Sequence, residues 1–275
     1  MEFVVTTVQH PSPAVTDLAR KIAVKLSAPF VARSRYSLAA IRKQYNVSGL
    51  IVAATDGPVV HTDDGEYFFH LSMAELRIKN LINGKHDHMI TAMGLAAGMS
   101  VLDCTLGLAT DAIVASFVAG EAGKITGLES SPVIALVAEL GLQHFVGEAN
   151  QKYDITSALR RIKVENADFN HYLEALPDNS FDIVYFDPMF RNPIYKSSNL
   201  NPIRSLADKR PLGIAAVKQA CRVAKRKVVV KEAAGSREFE RLGITTTTGG
   251  KYSSVQYGII DCFSKINGGG QIWND

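Results

Sequence analysis

The apolar positions of this chain change their spacing in a regular order from residue 100 onward. Short runs of consecutive apolar residues predict buried strands, and stretches with an apolar residue every three or four positions predict amphipathic helices. The two patterns alternate, which is typical of a parallel sheet with crossover helices. The predicted strands are 101–104, 124–128, 162–166, 181–186 and 227–231, and the predicted helices are 111–120, 132–141, 155–161 and 212–224. Two late strands, 245–248 and 255–262, have no clear helix between them and suit an antiparallel hairpin at the sheet edge.

The first 95 residues predict a small α/β module of their own. Two turn signals, at 55–57 and 62–65, separate short extended runs, which favours a small antiparallel sheet. We therefore expect two domains, residues 1–95 with a linker and residues 96–275. The predicted strands of the first are 3–7, 29–32, 50–54, 58–61 and 66–70, and its predicted helices are 13–26, 37–45, 73–82 and 87–95.

The composition is that of a globular protein with a substantial core. Apolar residues make up 47% of the chain and charged residues 21%. No run of eighteen apolar residues lacks a charge, and the first residues have no signal-peptide design, so neither a membrane span nor secretion is expected. The cysteines Cys104, Cys221 and Cys262 are far apart, so we expect no disulfide framework and no metal site, and a reducing cytoplasm fits.

Charge is unevenly distributed along the sequence. Residues 191–231 contain eleven Lys or Arg and one acid, a net charge of +10, whereas residues 101–190 have a net charge of −8. The acidic part suits a cationic cofactor, and the basic part suggests a polyanionic partner such as RNA. A basic helix with a solvated face is the simpler alternative for the second segment.

A single glycine follows the first strand of the second domain, in the segment Asp103 to Asp111. Glycine lets the backbone approach a ligand closely, and the helix that follows offers N–H groups. With one glycine this is not a dinucleotide fingerprint, and many turns between a strand and a helix look like it. Glu129 ends the next strand, and an acid at this place accepts hydrogen bonds from the ribose hydroxyls in nucleoside-binding sheets. An exposed acid before a helix is the alternative for Glu129.

Two more strand ends carry residues that suit a nucleoside ligand. Asp168 could accept from an adenine amino group and Phe169 could pack on the ring, although the segment taken alone favours a helix cap with a core Phe. Asp187, Pro188 and Phe190 end the strand 181–186. The Asp carboxylate and the Pro carbonyl can orient an NH2 group, and the Phe ring can stack on a planar substrate. Because the carboxyl ends of parallel strands form the ligand edge of open α/β sheets, we expect all these groups to meet there.

With these motifs in place, the chain from about residue 100 to 231 resembles the class I, Rossmann-like S-adenosylmethionine-dependent methyltransferases. More narrowly, it is similar to the RsmJ type of 16S ribosomal RNA guanine-N2 methyltransferase. The motifs that carry the resemblance are D-x-T-x-G-L-x-x-D-A at 103–112, L-E-x-x-P-V at 128–133, D-x-V-Y-x-D-P-M-F at 182–190 and V-V-V-K at 228–231.

The resemblance implies a seven-stranded, mostly parallel sheet with an antiparallel edge hairpin, preceded by a small N-terminal α/β domain. It implies S-adenosylmethionine as cofactor and methyl transfer to an amino nitrogen of a nucleobase, with ribosomal RNA or the small ribosomal subunit as partner. The expected cofactor-binding residues are Asp103, Thr105, Gly107, Thr110, Asp111, Glu129, Ser130, Asp168, Phe169 and Asp187.

The expected catalytic residues are Asp187, Pro188 and Phe190, and the expected substrate-binding residues are Arg191, Lys196, Lys225, Arg226 and Lys231. The chain departs from the family at Ala109, which replaces a second glycine, and at Glu232, where a basic residue is usual. These departures leave the methylated base open. Two alternatives stay in view, a methyltransferase for a small molecule or a protein amide, and a cofactor-binding RNA-associated protein without catalysis.

The segment His86-Asp87-His88 invites a metal interpretation. Two histidines that are two residues apart on a helix point about 200° apart, which argues against one shared ion. A loop that closes over the cofactor and a plain surface turn are the alternatives for this segment.

Overall fold

The computed structural model describes residues 3–146, 153–188 and 206–262, and these residues form two sheets. The smaller sheet has the order β1-β2-β3-β4, in which β1 and β2 are parallel and the later pairs are antiparallel. Its strands are β1 (Phe3–Thr7), β2 (Gly49–Ala54), β3 (Gly57–Thr62) and β4 (Gly65–Tyr67), and its helices are α1 (Pro13–Lys25) and α2 (Leu38–Tyr45).

Local sequence explains where the two N-terminal helices begin. Ser12 accepts a hydrogen bond from the Val15 amide and precedes a proline at the first helical position. Ser37 caps α2 in the same way. The expected strand at 29–32 is reduced to one bridge between Phe30 and Val5. The strand expected at 66–70 stops at Tyr67, because only Gly65 to Tyr67 pair with β3.

The larger sheet has the order β10-β11-β9-β8-β5-β6-β7, with β11 antiparallel to its neighbours and the other pairings parallel. This confirms the seven-stranded, mostly parallel fold with an antiparallel edge hairpin. Its strands are β5 (Ser100–Asp103), β6 (Lys124–Glu129), β7 (Ile162–Asn166), β8 (Phe181–Phe186), β9 (Ala224–Ala233), β10 (Thr246–Thr248) and β11 (Val255–Asp261).

Helices cover both faces of this sheet. The described helices from residue 72 onward are α3 (Ser72–Ile82), α4 (His88–Met93), α5 (Thr110–Ala119), α6 (Pro132–His144), α7 (Ile155–Arg160), α8 (Phe169–Ala175), α9 (Ile214–Val223) and α10 (Glu238–Arg241). One face packs the apolar side of α5 with residues of α3 and α4, and the other packs α9 against β8 and β9. The buried strands β5, β8 and β9 therefore read as continuous apolar runs in the sequence.

Helix α6 belongs to two cores at once. Val133, Ile134 and Val137 pack in the core of the small sheet together with Val5 and Ile22. Its residues Ala138 and Leu142 pack in the core of the large sheet. Likewise α3 and α4, expected to form the end of the first domain and its linker, contribute Ile78 and Met89 to the large-sheet core.

Candidate functional site

The turn after β5 ties that strand to β8 at the carboxyl edge of the sheet. The Asp103 side chain is buried and accepts a hydrogen bond from the Thr105 amide at 3.0 Å. Thr105 Oγ1 accepts in turn from the Asp187 amide at 2.6 Å. Burial raises the pKa of Asp103 to about 8, and the nearby charges of Asp111 and Asp187 act in the same direction. This edge therefore contains a carboxyl group that a cationic ligand would ionise.

The backbone of this turn takes left-handed geometry twice before α5. Gly107 has a φ of 52°, and a Cβ at this position would meet no heavy atom within 4 Å, so the space above the turn is open. Ala109 has a φ of 62° and is fully buried. An alanine in this region is uncommon, because glycine takes this conformation at a lower cost. Thr110 begins α5, and no side chain caps the helix.

Glu129 ends β6 and links it to the glycine turn. Its carboxylate accepts hydrogen bonds from the Gly107 amide at 3.1 Å and the Ser131 amide at 2.9 Å. Burial raises the pKa of Glu129, and these amides oppose the shift only in part. The Asn166 amide group donates to the carbonyl oxygens of Glu129, at 2.8 Å, and of Ser130, at 3.2 Å. The ends of β6 and β7 are thereby held side by side.

Asp168 and Phe169 lie at the end of β7, and the sequence predicted only some of their contacts. Asp168 caps α8 through the Asn170 amide at 2.8 Å, and Arg210 donates to its other oxygen at 2.6 Å. Burial tends to raise the pKa of Asp168, but these bonds outweigh it and lower the pKa. Phe169 packs edge-on against Phe186, with ring centroids 5.5 Å apart, and belongs to the core. An adenine amino group would therefore share Asp168 with Arg210.

The centre of the edge is an ammonium group between two carboxylates. Phe186 pairs with Val230, so Asp187 and Lys231 are the next residues on adjacent parallel strands. Lys231 Nζ lies 2.6 Å from Asp187 Oδ2 and 3.1 Å from Asp111 Oδ2. Burial disfavours the ammonium form, but the two carboxylates outweigh this and raise the pKa of Lys231. Lys231 was expected to bind substrate, and the structure pairs its ammonium group with Asp187 and Asp111 inside the site.

Asp111 accepts hydrogen bonds from three side chains of the site. The Tyr185 hydroxyl donates to its Oδ2 at 2.7 Å, and Arg77 donates to its Oδ1. Burial alone would raise the pKa of Asp111, but Lys231, Arg77 and Tyr185 together lower it. For Asp187 burial is the stronger influence, and Asp111 partly offsets the ammonium, so the pKa of Asp187 is raised. Of the two acids, Asp111 has the lowered pKa and Asp187 the raised one, so Asp187 is the more easily protonated.

Arg77 connects this centre to the segment that precedes the large sheet. Its Nε lies 2.7 Å from Asp87 Oδ2 and its second terminal nitrogen 2.9 Å from Asp87 Oδ1. Asp87 also caps α4 by accepting from the amides of Met89 and Ile90, each at 3.1 Å. The His86-Asp87-His88 segment therefore contributes its acid to an ion-pair chain. Among the residues that the structure describes, no group of three His, Cys, Asp or Glu side chains could hold a metal ion.

The structure separates two expected substrate-binding residues, Lys225 and Arg226, from Lys231. Phe181 pairs with Ala224, so Lys225 and Arg226 stand at the start of β8 and β9, the edge opposite Asp187. Five residues of strand separate Arg226 from Lys231, a distance of roughly 16 Å. Closeness along the sequence does not bring Lys225 and Arg226 to Asp187, because β9 crosses the whole sheet. Pro188 follows Asp187 at the site, whereas Phe190, Arg191 and Lys196 lie outside the described residues.

Sequence reasoning missed Arg77, Asp87, Tyr185 and Arg210 as members of the site. A signal for Arg77 was present, since Ala74 and Ile78 are fully buried and Arg77 shares their face of α3. A charged residue on a buried helix face requires a partner of opposite charge. Arg210 gave no comparable signal, because nothing in the local sequence relates it to Asp168.

The groups at this edge fit S-adenosylmethionine. The carboxylates of Asp103, Glu129 and Asp187 come from three strand ends, and hydroxyl and ammonium groups are the donors that carboxylates accept. Above Gly107 the backbone is accessible to a ligand. The described part of the chain has no helix of the length and apolar character needed to cross a membrane.

Comparisons with known proteins identify chains that are similar to this one. A family model for SAM-dependent methyltransferases matches residues 68–252. The uncharacterized protein YpiP of Bacillus subtilis is 33% identical over 256 residues, which cover 93% of this chain and 98% of that protein. Ribosomal RNA small subunit methyltransferase J of Psychrobacter arcticus is 29% identical over 121 residues, 42% of this chain and 38% of that protein.

A structural comparison gives the same fold. A solved SAM-dependent methyltransferase from Neisseria gonorrhoeae superposes with a TM-score of 0.63 at 17% identity, covering 94% of this chain and 96% of that one. At this identity the likeness concerns the fold.

Proposed function

Because the chain belongs to the SAM-dependent methyltransferase family and its cofactor is S-adenosylmethionine, we propose that it methylates an exocyclic amino nitrogen of a nucleobase, guanine in ribosomal RNA. The observation that carries the proposal is the Asp187 carboxylate, which ends β8 beside Pro188 and has one oxygen held by Lys231 at 2.6 Å. An acceptor fixed at a strand end suits the N–H of a planar amine.

Positioning is the main task of such a site. The lone pair of an exocyclic amine is shared with its ring, so the amine is a weak nucleophile. An acceptor that fixes one N–H also fixes the direction of the lone pair, and this lowers the entropic part of the barrier. S-Adenosylmethionine, when bound, supplies an electrophilic methyl group. As the N–CH3 bond forms, the S–CH3 bond of the sulfonium breaks and a neutral thioether leaves; the nitrogen becomes cationic, and its proton then passes to Asp187 or to water.

The electrostatics of the site suit that change of charge. Asp111 and Asp187 share the positive charge of Lys231, while Arg77 is shared by Asp111 and Asp87. With Asp187 ionised, three carboxylates face two cations, which leaves a net charge of −1 in the group. A positive charge that develops on the substrate amine would bring the net charge of this group to zero. Charges that are in place before the reaction stabilise such a transition state and so lower the barrier.

An RNA substrate is supported by the hairpin at the same edge. Val255 pairs with Ala233, two residues beyond Lys231, so the tip between β10 and β11 projects from the edge that holds Asp187. Tyr252 on this tip is 91% exposed, and the Lys251 ammonium lies 5.5 Å from its ring centroid. An exposed ring next to a cation is suited to stacking on an unpaired base and contacting its phosphate. The partial relatives named ribosomal RNA methyltransferases support the same class of substrate.

The test is transfer of a labelled methyl group. The protein is incubated with labelled S-adenosylmethionine and undermethylated ribosomal RNA or small subunits, and the modified nucleotide is mapped by nuclease digestion and mass spectrometry. We expect label on N2 of one guanine. Asp187→Ala should lose most of the rate, about a hundredfold, and Asp56→Ala, in an exposed turn of the small sheet, should retain it. Label in proteins or small molecules, with RNA unlabelled, would favour the alternative substrate class.

A further inference from the structure

We infer that Arg77 and Asp87 are positioning residues that set the orientation of Asp187 through Asp111 and Lys231. The inference rests on the proposed function in one respect, the role of Asp187 toward the amine. These residues form a chain of ion pairs that runs from the N-terminus of α4 to the end of β8. Neither Arg77 nor Asp87 belongs to the strand-end motifs that characterise the site.

The first link fixes Arg77 to the backbone. Asp87 Oδ1 accepts from two amides of α4 and from Arg77, while Asp87 Oδ2 accepts from Arg77 Nε. The planar guanidinium therefore binds one carboxylate through two nitrogens, a geometry that restrains it more than a single contact does. The side chains are 17% and 10% exposed, so water does not replace these bonds easily.

The second link transmits that restraint to Lys231. Arg77 donates to Asp111 Oδ1, while Tyr185 and Lys231 both donate to Asp111 Oδ2. The ammonium group is thus shared between Asp111 and Asp187, and each carboxylate competes for it. If Arg77 were neutral, Asp111 would depend more on Lys231 for its compensating charge. The ammonium would then move toward Asp111, and the Asp187 carboxylate would lose part of its restraint.

Asp187 itself offers a direct readout of this coupling. The charged and titratable groups that face it are Lys231, Asp111, Asp103, Tyr185 and Glu232. Loss of the positive charge of Arg77 should raise the pKa of Asp187, whereas loss of the negative charge of Asp87 should lower it. Opposite signs exclude general loosening of the fold, which would move the pKa of Asp187 in one direction for both variants, and the rate measurements below test the positioning role.

The experiment uses Arg77→Gln and Asp87→Asn in the full chain, with Lys79→Gln as the matched control. Lys79 is on the same helix and forms an exposed ion pair with Glu75 at 2.8 Å. Asparagine keeps the cap of α4, because its amide oxygen still accepts from the backbone. The Asp187 carboxyl carbon, assigned with Asp187→Asn, is titrated by 13C NMR in each protein, and S-adenosylmethionine affinity is measured by calorimetry.

We expect the pKa of Asp187 to rise by roughly one unit in Arg77→Gln and to fall in Asp87→Asn, as charges about two contacts away predict. It should be unchanged in Lys79→Gln. Cofactor affinity should change less than threefold in Lys79→Gln. Equal pKa values in Asp87→Asn and the unsubstituted protein would overturn the inference, and so would shifts of the same sign in Arg77→Gln and Asp87→Asn. Asp87→Asn keeps the test decisive if Arg77→Gln does not fold.

Methyl transfer to ribosomal RNA provides the second arm. Here Arg77→Gln should lower kcat about tenfold with little change in KM, and the acid limb of its pH profile should move to higher pH. Arg77→Lys should restore the rate only in part, because lysine cannot bridge two carboxylates as a fork. If the unsubstituted protein transfers no methyl group to RNA, the proposed substrate is wrong, while the NMR titration still decides the coupling.

Discussion

Replacement of Lys231 by methionine gives the sharpest test of the buried charge centre. The ammonium is 20% exposed and contacts Asp111, which is 8% exposed, and Asp187, which is 29% exposed. Removing one partner of a buried ion pair costs about 3–5 kcal/mol, because the remaining charges are left without compensation. Since Asp187 is partly accessible to water, we expect Lys231→Met to lower the free energy of unfolding by about 3 kcal/mol at pH 7.

The loss should depend on pH with a definite sign. In the unsubstituted protein the pKa of Asp111 is lowered, so its contribution to stability is present above its unfolded pKa and is lost as the pH falls. In Lys231→Met both carboxyls lack the ammonium, and burial raises their pKa values, so the folded variant takes up protons before the unfolded chain does. The difference between the two proteins should therefore shrink from pH 7 toward pH 4.

The assay is urea unfolding followed by circular dichroism at pH 7, 5.5 and 4, with Lys225→Met as the matched control. Lys225 lies on the same strand but is exposed at the opposite edge, so the same chemical change there should alter stability by less than about 0.5 kcal/mol. A deficit below about 1 kcal/mol for Lys231→Met, or a deficit that is equal at pH 7 and pH 4, would refute the assigned role of the buried centre.

Three further predictions concern the cofactor, the pH dependence and the substrate. Glu129→Ala should weaken S-adenosylmethionine binding about tenfold to a hundredfold in calorimetry, since it removes charge-assisted hydrogen bonds, and unchanged affinity would exclude Glu129 from the site. Because the pKa of Asp103 is raised to about 8, its folded form holds a proton that the unfolded chain has lost, so stability should fall from pH 4 to 8. Asp103→Asn should reduce this dependence of stability on pH in urea titrations, and an unaltered dependence would contradict the role given to Asp103. Tyr252→Ala should weaken RNA binding by about 1–3 kcal/mol in filter binding, while Tyr36→Ala, an exposed tyrosine of the first domain, should not.

Much of this fold follows from short stretches of sequence. The alternation of apolar runs and helical periodicity identified the strands of the large sheet, because β5, β8 and β9 are covered on both faces. The antiparallel hairpin at the edge followed from the missing helix between its strands. The strand at 29–32 was overpredicted, because a short apolar run does not reveal whether a neighbouring strand offers it a full set of hydrogen bonds.

The site could be predicted as far as strand ends determine it. Asp103, Glu129, Asp168 and Asp187 lie at the carboxyl edge because parallel strands place their ends together. The partners of those acids are remote in sequence and depend on packing. Lys231 pairs with a residue 44 positions earlier and with another 120 positions earlier, and no local pattern contains that information. Its charge suggested RNA, and in the fold it pairs with Asp111 and Asp187.

Because α6 contributes residues to the cores of both sheets, the two sheets should not unfold independently. Val133, Ile134 and Val137 lie under the small sheet, and the same helix supports β6 and β7 behind the glycine turn. A fragment without the first 70 residues would expose this apolar stripe to water and would tend to associate or lose the helix. The two sheets should accordingly unfold in one transition, with hydrogen exchange in β2 and β6 protected to similar free energies.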